Sequence, residues 1–148
     1  MTGFWAATLL LAAWAQDRSI GFECFEVWRS QAVVLDRRSF TETYHFELAF
    51  TGAENGVMTI DYSPEGRPQY KRKLKQDFSV LTGDVRNRIT VVGSNPELLE
   101  GPDFVGVYEP DTLYCNQSGQ TDPALLRCKW GSEGHDSAPS VIFEPIRR

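Results

Sequence analysis

FTETYHFELAF, residues 40–50, is the clearest structural signal in the chain. Phe40, Tyr44, Phe46, Leu48 and Phe50 sit on even positions, whereas Thr41, Thr43, His45, Glu47 and Thr51 sit on odd ones. Successive strand residues point to opposite faces, so the spacing predicts a strand with one apolar and one wetted face. Glu42 alone departs from the alternation, near the strand's start.

On its C-terminal side, Gly52-Ala53-Glu54-Asn55-Gly56 supplies turn residues, and Met58, Ile60 and Tyr62 then alternate along 57–62. The two segments read as a β-hairpin. SPEGRP at 63–68 forms the next turn, followed by a strand over 69–81. Thr82-Gly83-Asp84 turns into 85–92, where Val85, Ile89 and Val91 alternate with Arg86, Arg88 and Thr90. Residues 93–102 read as a longer connection containing one helical turn at 96–100. Short strands are expected at 104–108, 113–117, 125–130 and 140–143, separated by turn-forming residues.

On the N-terminal side, 20–35 carries two patterns. Phe22 and Cys24 alternate as in a strand, while Phe25, Trp28, Ala32 and Leu35 fit a helical stripe. Turn residues at 36–39, directly before the strongest strand, favour a hairpin. About eight to ten short strands at hairpin spacing imply an antiparallel all-β domain. A small antiparallel barrel is favoured because closure removes sheet edges, with a two-sheet β-sandwich as the alternative.

Residues 1–15 read as a signal peptide. The apolar run AATLLLAA at 6–13 is far short of the roughly 20 residues a membrane helix needs, and Ala13-Trp14-Ala15 suits cleavage before Gln16. Residues 16–148 are then a single all-β domain, exported, and periplasmic if the host is bacterial. No transmembrane segment is expected. A net charge of −5 argues against nucleic-acid binding, which calls for a basic excess.

In an oxidising compartment cysteines pair. Cys115 and Cys128 flank a turn-rich stretch, YCNQSGQTDPALLRCKW, and the expected disulfide joins them across a hairpin. Closing such a loop contributes roughly 3 kcal/mol on the chain-entropy argument. Cys24 leaves a pairing with either partner open, as well as no disulfide at all, and its neighbours Phe22 and Phe25 suit a buried core thiol.

The most unusual local feature is the basic run Lys71-Arg72-Lys73-Leu74-Lys75. With Arg67 it places five cations close together on an acidic chain. On a strand, Lys71, Lys73 and Lys75 share one face and Tyr70, Arg72 and Leu74 the other. Lys71, Arg72, Lys73 and Lys75 are therefore the candidate partner-binding residues, aimed at a protein or an anionic envelope component such as a phosphorylated glycolipid or acidic glycan. The plainer explanation is an exposed edge strand whose lysines block edge-to-edge pairing.

Catalytic and cofactor signatures are absent: the chain has no HExxH, GxSxG, GxGxxG or Walker-type loop, and no cofactor is implied. His135 with Glu133 and Asp136 lacks the further ligands a metal site needs, and His45 belongs to the wetted face. Asn116-Gln117-Ser118 matches an N-glycosylation acceptor. The expected function is thus non-catalytic binding. Alternatives are a lipocalin-like barrel carrying a small apolar ligand among its aromatic residues, and an enzyme whose carboxylates and histidine meet only in the fold.

Overall fold

A computed structural model describes residues 27–83, 88–103, 106, 108–118, 125–131 and 138–146. The signal-peptide reading, Cys24 and the 133–136 cluster lie outside them. The strands are β1 (Val27–Ser30), β2 (Val33–Asp36), β3 (Thr41–Phe50), β4 (Asn55–Pro64), β5 (Arg72–Thr82), β6 (Arg88–Glu100), β7 (Thr112–Ser118), β8 (Leu125–Trp130) and β9 (Ser140–Pro145). From β2 to β9 each strand pairs antiparallel with the next in sequence, and β1 pairs with both β9 and β3. The wall therefore closes. The fold is an eight-stranded antiparallel barrel with one extra strand, β2, and not a sandwich.

Closure depends on a slip at Gln31–Ala32. β1 lies along β3 from Val27↔Ala49 to Arg29↔Glu47, and β2 continues along it from Val33↔Tyr44 to Asp36↔Thr41, one residue out of step. Such a bulge bends the strand and reverses its faces. Inward positions change from even (Trp28, Ser30) to odd (Val33, Leu35), so helical and strand spacings overlap in the sequence of this segment. The described part is strand, not helix. At the slip, the Gln31 amide donates to the Ile142 carbonyl at 2.8 Å, fastening the bend to β9.

The interior is a packed core. Trp28, Phe46, Phe78, Phe143, Leu48 and Met58 are essentially solvent-free and fill the barrel axis. Each such side chain contributes roughly 1.5–3 kcal/mol relative to an exposed one. The alternation along 40–50 is borne out: Phe46 and Leu48 are buried, and Phe50 packs edge-on to Phe78 with centroids 5.0 Å apart. Cys115 and Cys128 face each other directly across β7 and β8, are buried, and form the expected disulfide with Cα atoms 3.9 Å apart.

Two expectations give way. Residues 96–100 form no helical turn but the end of β6, with Glu97 opposite Lys75 and Leu98 opposite Leu74. A bulge between Lys75 and Asp77, where Asn95 takes φ 52°, re-aims the strand and allows Pro96 within it. Gly106 and Tyr108, the described part of the 104–108 strand reading after residue 103, belong to no strand. Instead the Gly106 amide and the Tyr108 hydroxyl both donate to Asp103 Oδ1, at 2.8 and 3.0 Å. Local side-chain bonds of this kind compete with a ladder.

Candidate functional site

The two ends of the barrel differ. β6 pairs with β7 only from Arg88↔Asn116 to Val92↔Thr112, whereas its remaining length, to Glu100, pairs with β5 alone. At that end β2 to β6 form a lip that outruns β7, and polar residues replace the apolar filling. Register sets Val33, Tyr44, Tyr62 and Arg72 in one row across the lip, with Leu35, Glu42 and Pro64 in the next.

Glu42, the one break in the alternation, is the centre of this mouth. It is buried. Its Oε2 accepts from Arg37 Nε at 2.8 Å and from the Tyr44 hydroxyl at 3.1 Å, and its Oε1 accepts from the Tyr62 hydroxyl at 2.8 Å. Burial pushes the Glu42 carboxyl up, but the hydrogen bonds from Arg37, Tyr62 and Tyr44 outweigh it and hold the group below its ordinary value. Burial and the adjacent carboxylate push the Tyr44 and Tyr62 hydroxyls up. At neutral pH the acid therefore stays ionised and both phenols stay protonated.

A second polar brace lies deeper. Trp130 Nε1 donates to Asp111 Oδ1 at 2.9 Å, Gln76 Nε2 donates to Asp111 Oδ2 at 2.7 Å, and the Asp111 amide donates back to Gln76 Oε1 at 2.9 Å. The Trp130 ring packs edge-on to Tyr44 and Phe46, with centroids 4.9 and 5.0 Å away. The braces thus meet through one aromatic contact, which fixes the tyrosines from below.

Outside Glu42 the lip carries an arginine–aromatic depression of about 290 Å³, lined by Phe40, Tyr62, Pro64, Arg67, Tyr70 and Arg72. The Arg67 guanidinium lies 4.3 Å from the Phe40 ring centroid, and that of Arg72 lies 4.8 Å from the Tyr62 centroid. A guanidinium stacked on a ring keeps its N–H donors in its own plane, the geometry that grips a carboxylate or phosphate. Lys71 borders a neighbouring depression of about 260 Å³, with Arg72, Lys73, Asp61 and Glu100.

The candidate cationic stripe is divided by the fold. Lys73 Nζ lies 3.8 Å from Asp61 and Lys75 Nζ lies 3.6 Å from Glu97, so two of its charges face acids. Lys71 falls before β5, after the 3-10 turn Pro68–Tyr70, with its amide bonded to the Pro68 carbonyl. Arg72 shares its face of β5 with Leu74, as expected, and that face is the one carrying the buried Gln76 and Phe78. The edge-strand explanation is corrected, because β5 lies between β4 and β6 and has no edge to protect. Arg67 and Lys71 form no ion pair among the described residues.

No protein-family model, curated protein or solved structure matches the chain. What the site does must be argued from its own chemistry. His45 is exposed on the outer face of β3, and no cluster of three metal-ligating side chains occurs among the described residues. No helix among them is long and apolar enough to cross a membrane. Sequence reasoning found Arg72 but missed Glu42, Tyr62 and Arg67 as a group. The available signal was the lone acid on the apolar face of 40–50, two positions from a tyrosine: a carboxylate there requires partners.

Proposed function

We propose that the protein is an exported, non-catalytic binding module whose mouth holds an anionic group borne on an apolar body. The observation that carries this reading is the pair of stacked guanidinium groups, Arg67 on Phe40 and Arg72 on Tyr62, lining one depression. The arginines supply in-plane donors for the anion, and Phe40, Tyr62, Pro64 and Tyr70 supply the apolar floor. The Cys115–Cys128 disulfide, a cross-link favoured in oxidising compartments, supports export.

The protonation states of the mouth favour binding over acid–base catalysis. A general acid or base works best with a pKa near the operating pH. Glu42 moves down and the two tyrosines move up, each away from neutrality. Their arrangement braces the lip. The packed interior likewise favours a ligand at the mouth over an apolar ligand enclosed in the barrel.

Isothermal titration with decyl phosphate and decanoate tests the site, with native mass spectrometry of protein from its own host to identify the natural occupant. Arg67→Gln with Arg72→Gln is expected to lower affinity for both anions at least tenfold while the unfolding transition is retained. Equal affinity in the double variant would refute the reading. Binding of decanol as tightly as decanoate would show that the anion plays no part.

A further inference from the structure

A second surface emerges only from the register. Arg88 on β6 lies opposite Asn116 on β7, which lies opposite Arg127 on β8; one row along, Thr90, Tyr114 and Lys129 are aligned in the same way. Ile89, Cys115 and Cys128 are buried between them, so these residues belong to the outward face. With neighbouring strands about 4.8 Å apart, the backbones of Arg88 and Arg127 are separated by roughly 10 Å, and Lys129 stands about 7 Å along β8 from Arg127. The three cations flank Tyr114 and Asn116 on the middle strand as the corners of a triangle. Arg88, Thr90, Tyr114, Asn116 and Lys129 border a depression of about 200 Å³ beside them.

Among the described residues, no acid pairs with this triangle as Asp61 and Glu97 pair with Lys73 and Lys75. Arg88, Arg127 and Lys129 form no ion pair among the described residues. Lys129 Nζ is steadied by neutral acceptors, Ser140 Oγ at 3.0 Å and the Ala138 carbonyl at 3.4 Å. Among the described residues, the nearest outward acid by register, Glu144 on β9, accepts from Gln31 Nε2 at 3.2 Å. Three cations therefore share one outward face of the described wall, on a chain whose net charge is −5.

We propose that this outward face of β6, β7 and β8 binds an anionic glycan, independently of the mouth. β7 is paired on both sides, so a peptide cannot add there as a strand and recognition falls to side chains. Those side chains match a charged sugar. Arg88, Arg127 and Lys129 meet sulfate or carboxylate groups, the Asn116 amide and Thr90 hydroxyl meet ring hydroxyls, and the Tyr114 ring offers a face for a pyranose.

Affinity of the full chain for a heparin-derived hexasaccharide, measured over rising salt, tests the proposal, with maltohexaose and phosphatidylglycerol vesicles in parallel. The hexasaccharide is expected to bind and to weaken as salt rises, while maltohexaose does not bind. Arg88→Gln with Arg127→Gln should lower affinity at least tenfold, and Tyr114→Ala should lower it severalfold without changing net charge. Lys73→Gln with Lys75→Gln removes the same charge elsewhere and should leave affinity within about twofold, as should Arg67→Gln with Arg72→Gln, which keeps failure here separate from failure at the mouth. Undiminished binding by the Arg88/Arg127 variant, an equal loss in the Lys73/Lys75 variant, or binding to vesicles but not to the hexasaccharide would overturn it. Retention of the disulfide and of the unfolding transition shows that the variants remain folded.

Discussion

Replacing Glu42 tests the description of the mouth directly. In Glu42→Gln the amide oxygen can take the place of Oε2 and keep the bonds from Arg37 and Tyr44. The amide nitrogen then takes the place of Oε1, and the Tyr62 hydroxyl rotates to accept from it. All three contacts survive without the charge. Neutral hydrogen bonds contribute about 0.5–1.5 kcal/mol and charged ones about 1.5–3 kcal/mol, but the neutral amide is cheaper to bury, so a net loss of roughly 1 kcal/mol is expected at pH 7. Glu42→Ala removes every contact and strands the half-buried Tyr44 hydroxyl. Arg37, with its side chain 51% exposed, turns to water, so the cost is about 3 kcal/mol rather than more.

The pH dependence carries a sign. The folded carboxyl titrates below its ordinary value of 4.5, so its contribution is complete above that value and is lost as pH falls through the lower folded one. The gap between wild type and Glu42→Gln should therefore narrow in acid. Urea unfolding followed by tryptophan fluorescence at pH 7 and pH 3 measures both quantities. A Glu42→Ala variant within about 0.5 kcal/mol of wild type at pH 7 would refute the buried-brace description, as would a Glu42→Gln gap that widens in acid.

Other perturbations probe the same framework. A Cβ on Gly93 would come 2.0 Å from Gln76 Oε1 and 2.7 Å from the Asp111 carbonyl oxygen, so Gly93→Ala should cost about 2–4 kcal/mol, whereas Gly83→Ala, with open space around it, should change stability by less than about 1 kcal/mol; chemical denaturation of the pair checks both. Cys115→Ala with Cys128→Ala should lower stability by about 3 kcal/mol from the lost cross-link, read as a shifted denaturant midpoint. Because the Tyr44 hydroxyl is pushed up, its stabilising state is complete below the ordinary value of 10.0 and lost as pH rises past it; Tyr44→Phe should flatten the alkaline fall in melting temperature. Lys73→Gln should change stability by no more than about 0.5 kcal/mol, since its pair with Asp61 is exposed and long.

Much of the wall was legible because period-2 alternation is a local signal. β3 and β4 lie where apolar and polar residues take turns, β7, β8 and β9 lie where short apolar segments stand between turn-forming residues, and the Cys115–Cys128 clip follows from a hairpin between its arms. The failures share a cause. At Gln31–Ala32 and at Asn95–Pro96 a bulge changes the phase of the strand, so a pattern read across it looks like a helix or a loop. Phase changes cost the sequence its periodicity while letting the barrel bend and close. The basic run misled for a different reason. Its sequence neighbours are cations, but its neighbours in space are Asp61 and Glu97, contributed by the adjoining strands.

The same distinction bears on where function resides. A charge conspicuous in sequence is conspicuous because the residues beside it share its sign, and the antiparallel ladder then sets other strands against it. Lys73 and Lys75 come to face acids in this way, while Arg88, Arg127 and Lys129, scattered in sequence, converge without an acid paired to them among the described residues. Glu42 follows the same logic in reverse: isolated in an apolar pattern, it acquires Arg37 and two tyrosines from three different positions along the lip. In a barrel of this kind, register decides which polar residues are spent on one another and which remain for a partner. Arg67 at the arginine–aromatic lip and Arg88, Arg127 and Lys129 on the outward face of β6 to β8 form no ion pair among the described residues, and substitutions confined to either surface should alter binding without unfolding the wall.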